Sequence, residues 1–164
     1  MGAEGDLVDL RLGRGCRAFV GCAGGQVVAF GWLSTGAEWI GELGLEIRPP
    51  AGEAYLWNCF TLPAHRHRGY FRALIGQVVA VAREEGLGRL WIGGVEGGAE
   101  SAVTGTGFGP VLCFSGVTLG GVHWITVRRS EGVDPTLLST AMSALGGGRG
   151  PLRTGFRRVH QRRH

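Results

Sequence analysis

The stretch Pro63-Ala64-His65-Arg66-His67-Arg68-Gly69-Tyr70-Phe71-Arg72-Ala73-Leu74 concentrates the cationic side chains that chemistry at an anion requires. It joins an apolar, β-forming run, Tyr55 to Leu62, to a segment whose apolar residues fall at helical spacing. The first N–H groups of a helix have no partners within it, and with the positive end of the helix dipole they make a seat for an anion. Gly69, without a Cβ, lets a phosphate approach the backbone closely, and Arg66, Arg68 and Arg72 surround the same point. On physical grounds alone the junction reads as a phosphate or pyrophosphate site, with a plain basic helix start as the alternative.

The elements that must hold this turn are legible on both sides of it. Phe71, Leu74, Ile75, Val78, Val79 and Ala82 lie on one face of a helix that Gly86 ends, and Leu90 to Val95 follows as a strand. Strand, helix and parallel strand in that order make a right-handed βαβ unit. Upstream, Arg17 to Cys22 and Gln26 to Leu33 flank Ala23-Gly24-Gly25 as a β-hairpin, and the alternation from Trp39 to Ile47 reads as one strand with a wet face. Downstream, Glu100 to Gly105 reads as a short helix, Val111 to Leu119 and Val122 to Arg128 as a strand pair, and Pro135 to Leu145 as a late helix. Asp6 to Leu12 holds at most a short helix, and the glycines from Gly146 to Gly150 read as a flexible linker before a disordered tail.

A chain of 164 residues suits one globular domain, and 44% hydrophobic composition provides for a core. No run reaches the ~20 apolar residues that cross a bilayer, and the N-terminus lacks the features of a secretory signal, so no membrane association and a cytoplasmic location are expected. Cys16, Cys22, Cys59 and Cys113 show no paired metal-ligand spacing; no metal is expected, and buried thiols are expected over disulfides. All 17 basic residues are arginine, and six of them fall in residues 149–164, which leaves the rest of the chain slightly acidic. Without an aromatic-basic motif or a helix-turn-helix, that tail is a poor footprint for nucleic acid.

The turn resembles the acyl-coenzyme A signature of the GNAT (GCN5-related N-acetyltransferase) superfamily, Arg/Gln-x-x-Gly-x-Gly/Ala, here Arg66-x-x-Gly69-x-Phe71 after Thr61-Leu62-Pro63. The likeness continues in order through the helix, Glu84-Glu85-Gly86-Leu87 and the next strand to Gly107-Phe108. The resemblance implies an α/β (α+β) fold: a mixed, mostly antiparallel sheet with a central splayed parallel pair and a coenzyme-binding helix. It implies acetyl-CoA, or coenzyme A after transfer, held by Cys59, Phe60, Thr61 and Leu62 on the strand and by Arg66, His67, Arg68, Gly69, Tyr70, Phe71 and Arg72 at the turn. A backbone N–H of the strand, at Leu62, would stabilise the developing oxyanion while a neutral amine attacks the thioester directly.

The sequence departs from the family pattern at several points. Phe71 replaces a small residue and is expected to turn into the core. Glu96 and Val103 stand where many members carry an asparagine and a tyrosine acid. No base is identifiable: Glu42, Glu46 and Tyr70 are weak candidates, Glu53 is placed in a loop, and His65 and His67 are as well explained as anion-facing cations. The family's front strand and helices are not legible before the hairpin. The expected organisation is a lead at 1–15, a GNAT-like domain at 16–128, a helix and linker at 129–148 and a basic tail at 149–164. The expected function is acyl-CoA-dependent N-acyl transfer to a small-molecule or peptide amine, with a homodimer left open; the alternative is a catalytically degenerate coenzyme-binding or interaction module.

Overall fold

The computed structural model describes residues 3–40, 45–93, 103, 105–119 and 122–146. They belong to two compact units, Met1–Gly36 with Pro49–Phe108, and Ala37–Arg48 with Gly109–His164. The fold is mixed α+β, mostly antiparallel, with one parallel strand pair.

The first unit opens with helix α1 (Ala3–Gly13), so the lead is helical over a longer span than its sequence suggested. Strands β1 (Arg17–Ala23) and β2 (Gln26–Ser34) form the expected hairpin, with Gly24 and Gly25 at positive φ in the turn. Further along the chain, β5 (Glu53–Thr61) pairs antiparallel with β2, and β6 (Arg89–Ile92) pairs parallel with β5, in the sheet order β1-β2-β5-β6. Helix α2 (Tyr70–Glu84) connects the parallel strands and buries Leu74, Ile75, Val78 and Ala82, the stripe its sequence period announced. Leu74, Ile75 and Val78 close on Ala29, Leu33, Ala54 and Leu56 of the sheet, and Phe19, Cys59 and Phe71 pack against that cluster. Phe71 thus turns into the core, as expected from its place in the stripe.

The end of α2 shows why Gly86 stops it. Gly86, at φ 70°, donates to the Arg83 carbonyl at 3.0 Å while Leu87 donates to Ala82 at 2.9 Å, the paired bonds of a Schellman cap. The chain then enters β6 beside the start of β5. Glu53 lies on β5 rather than in a loop, and its carboxylate accepts from Arg89 Nη1 and from Trp91 Nε1, each at 2.5 Å. Both donors come from β6, so a single carboxylate fastens the parallel pair at its first register positions, Glu53 opposite Arg89.

The second unit holds β3 (Glu38–Ile40), β4 (Leu45–Ile47), β7 (Leu112–Leu119), β8 (Val122–Arg129), α3 (Pro135–Ala144) and β9 (Leu145–Gly146). The alternation from Trp39 to Ile47 is therefore two strands, not one: Ile40 pairs with Leu45, antiparallel. A period of two marks a strand face but is silent about which strand lies opposite, and Gly41 and Gly44 were the only signs of a break. Leu145 and Gly146 pair with Ile47 and Glu46, so the expected linker begins one residue later than its glycines suggested. Asp134 caps α3 by accepting from Thr136 and Leu137 at 2.9 and 3.0 Å, with Pro135 at the first helical position. The strands β7 and β8 pair with each other from Leu112 opposite Arg129 to Leu119 opposite Val122. Glu42, Glu96, most of the helix expected at Glu100 to Gly105 and the tail at 149–164 lie outside the described residues. Among the described residues no helix is long and apolar enough to cross a membrane.

Glu53→Ala removes the acceptor for two donors at once and leaves Trp91 Nε1 without its partner. Because Arg89 is 38% exposed, the indole bond carries most of the expected loss. A destabilisation of about 1–3 kcal/mol is expected from the urea unfolding midpoint at unchanged m-value.

Candidate functional site

The geometry of the site is set by a bulge in β5. Phe30 pairs with Phe60 and Trp32 with Trp57, so Asn58 and Cys59 together oppose the single residue Gly31. Asn58 takes φ 47°, the left-handed conformation that asparagine tolerates better than most residues. Gly31 is required opposite it. A Cβ there would come within 2.9 Å of Cys59 Sγ and 3.3 Å of side-chain carbons of both Leu56 and Leu74.

The extra residue reverses the direction in which backbone groups point. Before the bulge, the carbonyl of Leu56 faces β6 and accepts from Gly93 N–H at 3.4 Å. After it, Leu62 N–H faces the other way and donates to Val28 of β2 at 2.8 Å. Even-numbered residues thus face β6 before Asn58 and β2 after it, and by alternation the N–H groups of Cys59 and Thr61 face the β6 side. Pairing with β6 ends at Leu56 opposite Ile92, so along this side Cys59 and Thr61 have no strand partner among the described residues. This corrects the oxyanion donor expected at Leu62: its N–H is committed to β2, and the odd-numbered amides are the ones that face the β6 side.

The turn that follows carries the sequence-expected anion seat. Leu62 leads into a single 3-10 turn, Pro63–His65, and Gly69 enters α2 at φ 83°. No side chain caps that helix, and its first intrahelical bond is Ala73 N–H to the Gly69 carbonyl at 2.9 Å, so the amides of Tyr70 and Phe71 precede the ladder. A Cβ on Gly69 would meet nothing within 4 Å, so the turn is open beside that residue. Arg66, His67 and Arg68 are exposed around the turn, with His67 at φ 59°. Arg66 folds back on the strand: Nε donates to the Thr61 carbonyl at 3.2 Å and the guanidinium lies 5.8 Å from the Phe60 ring centre. His65 meets Tyr70 edge to face at 5.8 Å, and its buried Nδ1 has no hydrogen-bond partner among the described residues. Between α2 and residues 105–106, an open cavity of about 280 Å³ is lined by Arg72, Ile75, Gly76, Val79, Arg83, Gly105 and Thr106. Uncapped amides, open space at Gly69, an orphaned imidazole nitrogen and flanking arginines fit a phosphate-bearing ligand.

The carboxylates are placed differently. Glu53 is occupied by Arg89 and Trp91, and Glu46, on β4 of the second unit, pairs with Arg48 at 2.8 Å. Glu85, past the end of α2, is held below the ordinary carboxylate range by its bidentate hydrogen bonds from Arg17. Val103, in the tyrosine-acid position, is part of the core margin, and its carbonyl accepts from Thr106. The residue that sequence reading missed is Arg11 of α1. With its carboxamide oxygen turned to that helix, Asn58 accepts from Arg11 Nη1 at 2.9 Å and Nη2 at 3.2 Å. No local signal links positions so far apart in sequence.

The fold and site define an α+β acyltransferase-like domain with an anion seat at a helix start and an opened strand beside it. The chain belongs to the acetyltransferase (GNAT) family, whose model matches residues 4–103. That family's acyl donor is acetyl-CoA. A protein of Agrobacterium tumefaciens str. C58 assigned as an acetyltransferase is similar in structure at a TM-score of 0.52 and 20% identity, over 66% of this chain and 73% of that one. The aminoglycoside N-acetyltransferase AAC(6')-Iy, solved with the bisubstrate analogue CoA-S-monomethyl-acetylneamine, matches at 0.50 and 18%, over 66% and 76%. At these identities the likeness is one of fold. No curated protein matches the chain.

Cys59 differs sharply from the other cysteines. Cys22 and Cys113 are exposed, contrary to the expectation of burial, Cys22 at an outward position of β1; Cys16 is buried and Cys59 half-buried. Burial pushes the Cys59 thiol from its ordinary 9.0 up to about 12. At pH 8 its thiolate fraction is roughly 10⁻⁴, so a thiol reagent should label Cys22 and Cys113 quickly and Cys59 only on unfolding. Because the folded value is the higher one, the stability Cys59 contributes is complete below pH 9.0 and is lost as pH rises towards about 12. Cys59→Ala should flatten that alkaline decline in melting temperature.

Proposed function

We propose that this protein is an acyl-CoA-dependent N-acyltransferase that uses acetyl-CoA and delivers the acyl group to an amine by direct attack. The observation that carries the reading is the bulge at Asn58, which turns the Cys59 and Thr61 amides to the open side of β5 within one short turn of the uncapped start of α2. One element can thereby hold the reactive end of a ligand while the next holds its phosphates.

The residues divide the work as follows. The amides at the start of α2, with Gly69 allowing close approach, bind the pyrophosphate, and Arg66 and Arg68 neutralise it. Arg66 releases the Thr61 carbonyl to do so. Arg72 and Arg83, lining the adjoining cavity, add positive charge for a further phosphate. Cys59 and Thr61 offer backbone groups to the amide-rich pantetheine arm and an N–H to the acyl oxygen. Bound acetyl-CoA supplies an acyl thioester: the amine nitrogen bonds to the acyl carbon, the carbon–sulfur bond breaks, and the proton the nitrogen loses ends on the thiol.

Cys59, held as a thiol beside this path, does not become an acyl carrier; the transfer is direct. A departing thiolate with a pKa near ~8.5 needs little help from an acid, so Val103 in the tyrosine position is compatible with turnover. The second reading, a coenzyme-binding module without catalysis, is supported by the carboxylates: Glu53 and Glu46 are both engaged in ion pairs and neither is poised as a base.

Calorimetric titration with acetyl-CoA and with coenzyme A tests the first step. Wild type should bind both, and Gly69→Trp, which fills the open space beside that residue, should weaken binding by roughly a hundredfold or more. No binding at about 1 mM ligand would refute the reading. Thiol release from acetyl-CoA across a panel of amines separates the alternatives, since binding without amine-dependent release identifies the module.

A further inference from the structure

Arg11 stands where an acceptor would be recognised. The sheet of the first unit has two faces: Ala29, Leu33, Leu56 and Cys59 meet α2, while Trp32 and Trp57, paired across β2 and β5, lie on the opposite one. The guanidinium of Arg11 lies 5.1 Å from the centre of the Trp32 ring, which places that part of α1 on the face away from α2. Its Nη1 and Nη2 both hold the carboxamide oxygen of Asn58, the left-handed residue at the apex of the bulge. The next residue, Cys59, carries the first amide turned to the open side of β5. A cation is thus anchored one residue from the point at which the acyl group is to be received.

The chemistry of that cation is specific. Guanidinium presents five N–H donors in a planar fork, and Asn58 occupies only the edge between the two Nη atoms. The side edge, Nε with the outer Nη hydrogen, has the spacing of a carboxylate's two oxygens. Among the described residues Arg11 is seen on Asn58 and Trp32, while Glu85, Glu46 and Glu53 are engaged by Arg17, Arg48 and Arg89. The Trp32 ring covers one face of the guanidinium and, with Asn58, holds it in place before any ligand arrives.

We propose that Arg11 is an acceptor-recognition residue and that the acceptor class is an amine that also bears a carboxylate, such as an amino acid. The inference rests on the acyl-transfer reading above. The carboxylate docks on the side edge of Arg11 and directs the neutral amino group at the acyl carbon beside Cys59. The nitrogen–carbon bond forms, the carbon–sulfur bond breaks, and the nitrogen's proton leaves on the thiol, which balances the transfer without another reactant. Asn58 is the positioning residue in this arrangement, because its carboxamide sets the orientation of the fork.

The test compares matched pairs, L-alanine with ethylamine and L-phenylalanine with phenethylamine, in thiol release from acetyl-CoA by the full chain. Wild type should favour the amino acid of each pair by roughly tenfold or more in kcat/KM. Arg11→Gln should erase that preference by raising KM for the amino acid far more than for its decarboxylated partner, and Arg11→Lys should restore part of it. Asn58→Gly, which keeps the left-handed backbone but releases the fork, should give an intermediate ratio. Calorimetry with coenzyme A should show that every variant still binds it, which also shows that they are folded. Equal or better turnover of the simple amines, or a ratio insensitive to Arg11→Gln, overturns the proposal; turnover of none of the amino acids, with coenzyme binding intact, does so as well. Failure of wild type to bind coenzyme A would instead refute the reading it rests on.

Discussion

One inserted residue in β5 governs the rest of the site. Without Asn58 in the left-handed conformation, backbone groups that face β6 at Leu56 would keep facing it at even-numbered positions, and the amides of Phe60 and Leu62 would point into the opening. With it, those amides bond to β2 and hold the sheet, while Cys59 and Thr61 are turned to the side where β6 has ended. The bulge therefore does two things with one residue: it keeps the antiparallel ladder to β2 and it exposes polar backbone at a defined place. Gly31 is its steric counterpart, since Cys59, Leu56 and Leu74 occupy the volume that any side chain there would need.

The surrounding elements are arranged to keep that opening from closing or drifting. Glu53 binds the parallel strands together at their start, and their pairing runs from there to Leu56 opposite Ile92. The core of Leu33, Leu56, Ile75 and Val78 fixes α2 against the same strand, which places the helix start a few residues beyond the exposed amides. On the other face, Arg11 ties α1 to the bulge itself. Two helices on opposite faces thus converge on a single irregularity of one strand, and the cost of a left-handed asparagine is offset by the hydrogen bonds it accepts. The arrangement also explains why burial pushes the Cys59 thiol up: its side chain packs on the core face even though its amide faces the β6 side.

Much of this was legible in the sequence, and the reason is locality. The period of Phe71 to Ala82, the glycine at each end of α2, the hairpin at Gly24-Gly25 and the basic turn at Arg66 to Phe71 all depend on residues within a few positions of one another. The ordered run from Thr61 to Phe108 was sufficient to suggest the family, and the family model matches residues 4–103. Other features could not be read in this way. Whether the alternation of Trp39 to Ile47 made one strand or two depended on what lay opposite Ile40, and the exposure of Cys22 and Cys113 depended on which strand face was covered.

The sequence by itself determined that a helix begins at a glycine beside clustered arginines and that its dipole and unpaired amides favour a phosphate. Only the tertiary structure decided which strand amides could serve the acyl end, because a backbone group's direction is settled by its partner across the sheet. Leu62 is apolar, central and adjacent to the turn, yet its N–H belongs to Val28. Glu53 looked like a loop carboxylate, yet it is bonded to residues 36 and 38 positions away. Arg11 carried no local signal at all and gained its place only when the chain brought α1 over Trp32 and Asn58. Such assignments depend on pairings distant in sequence, and neither composition nor period encodes those pairings.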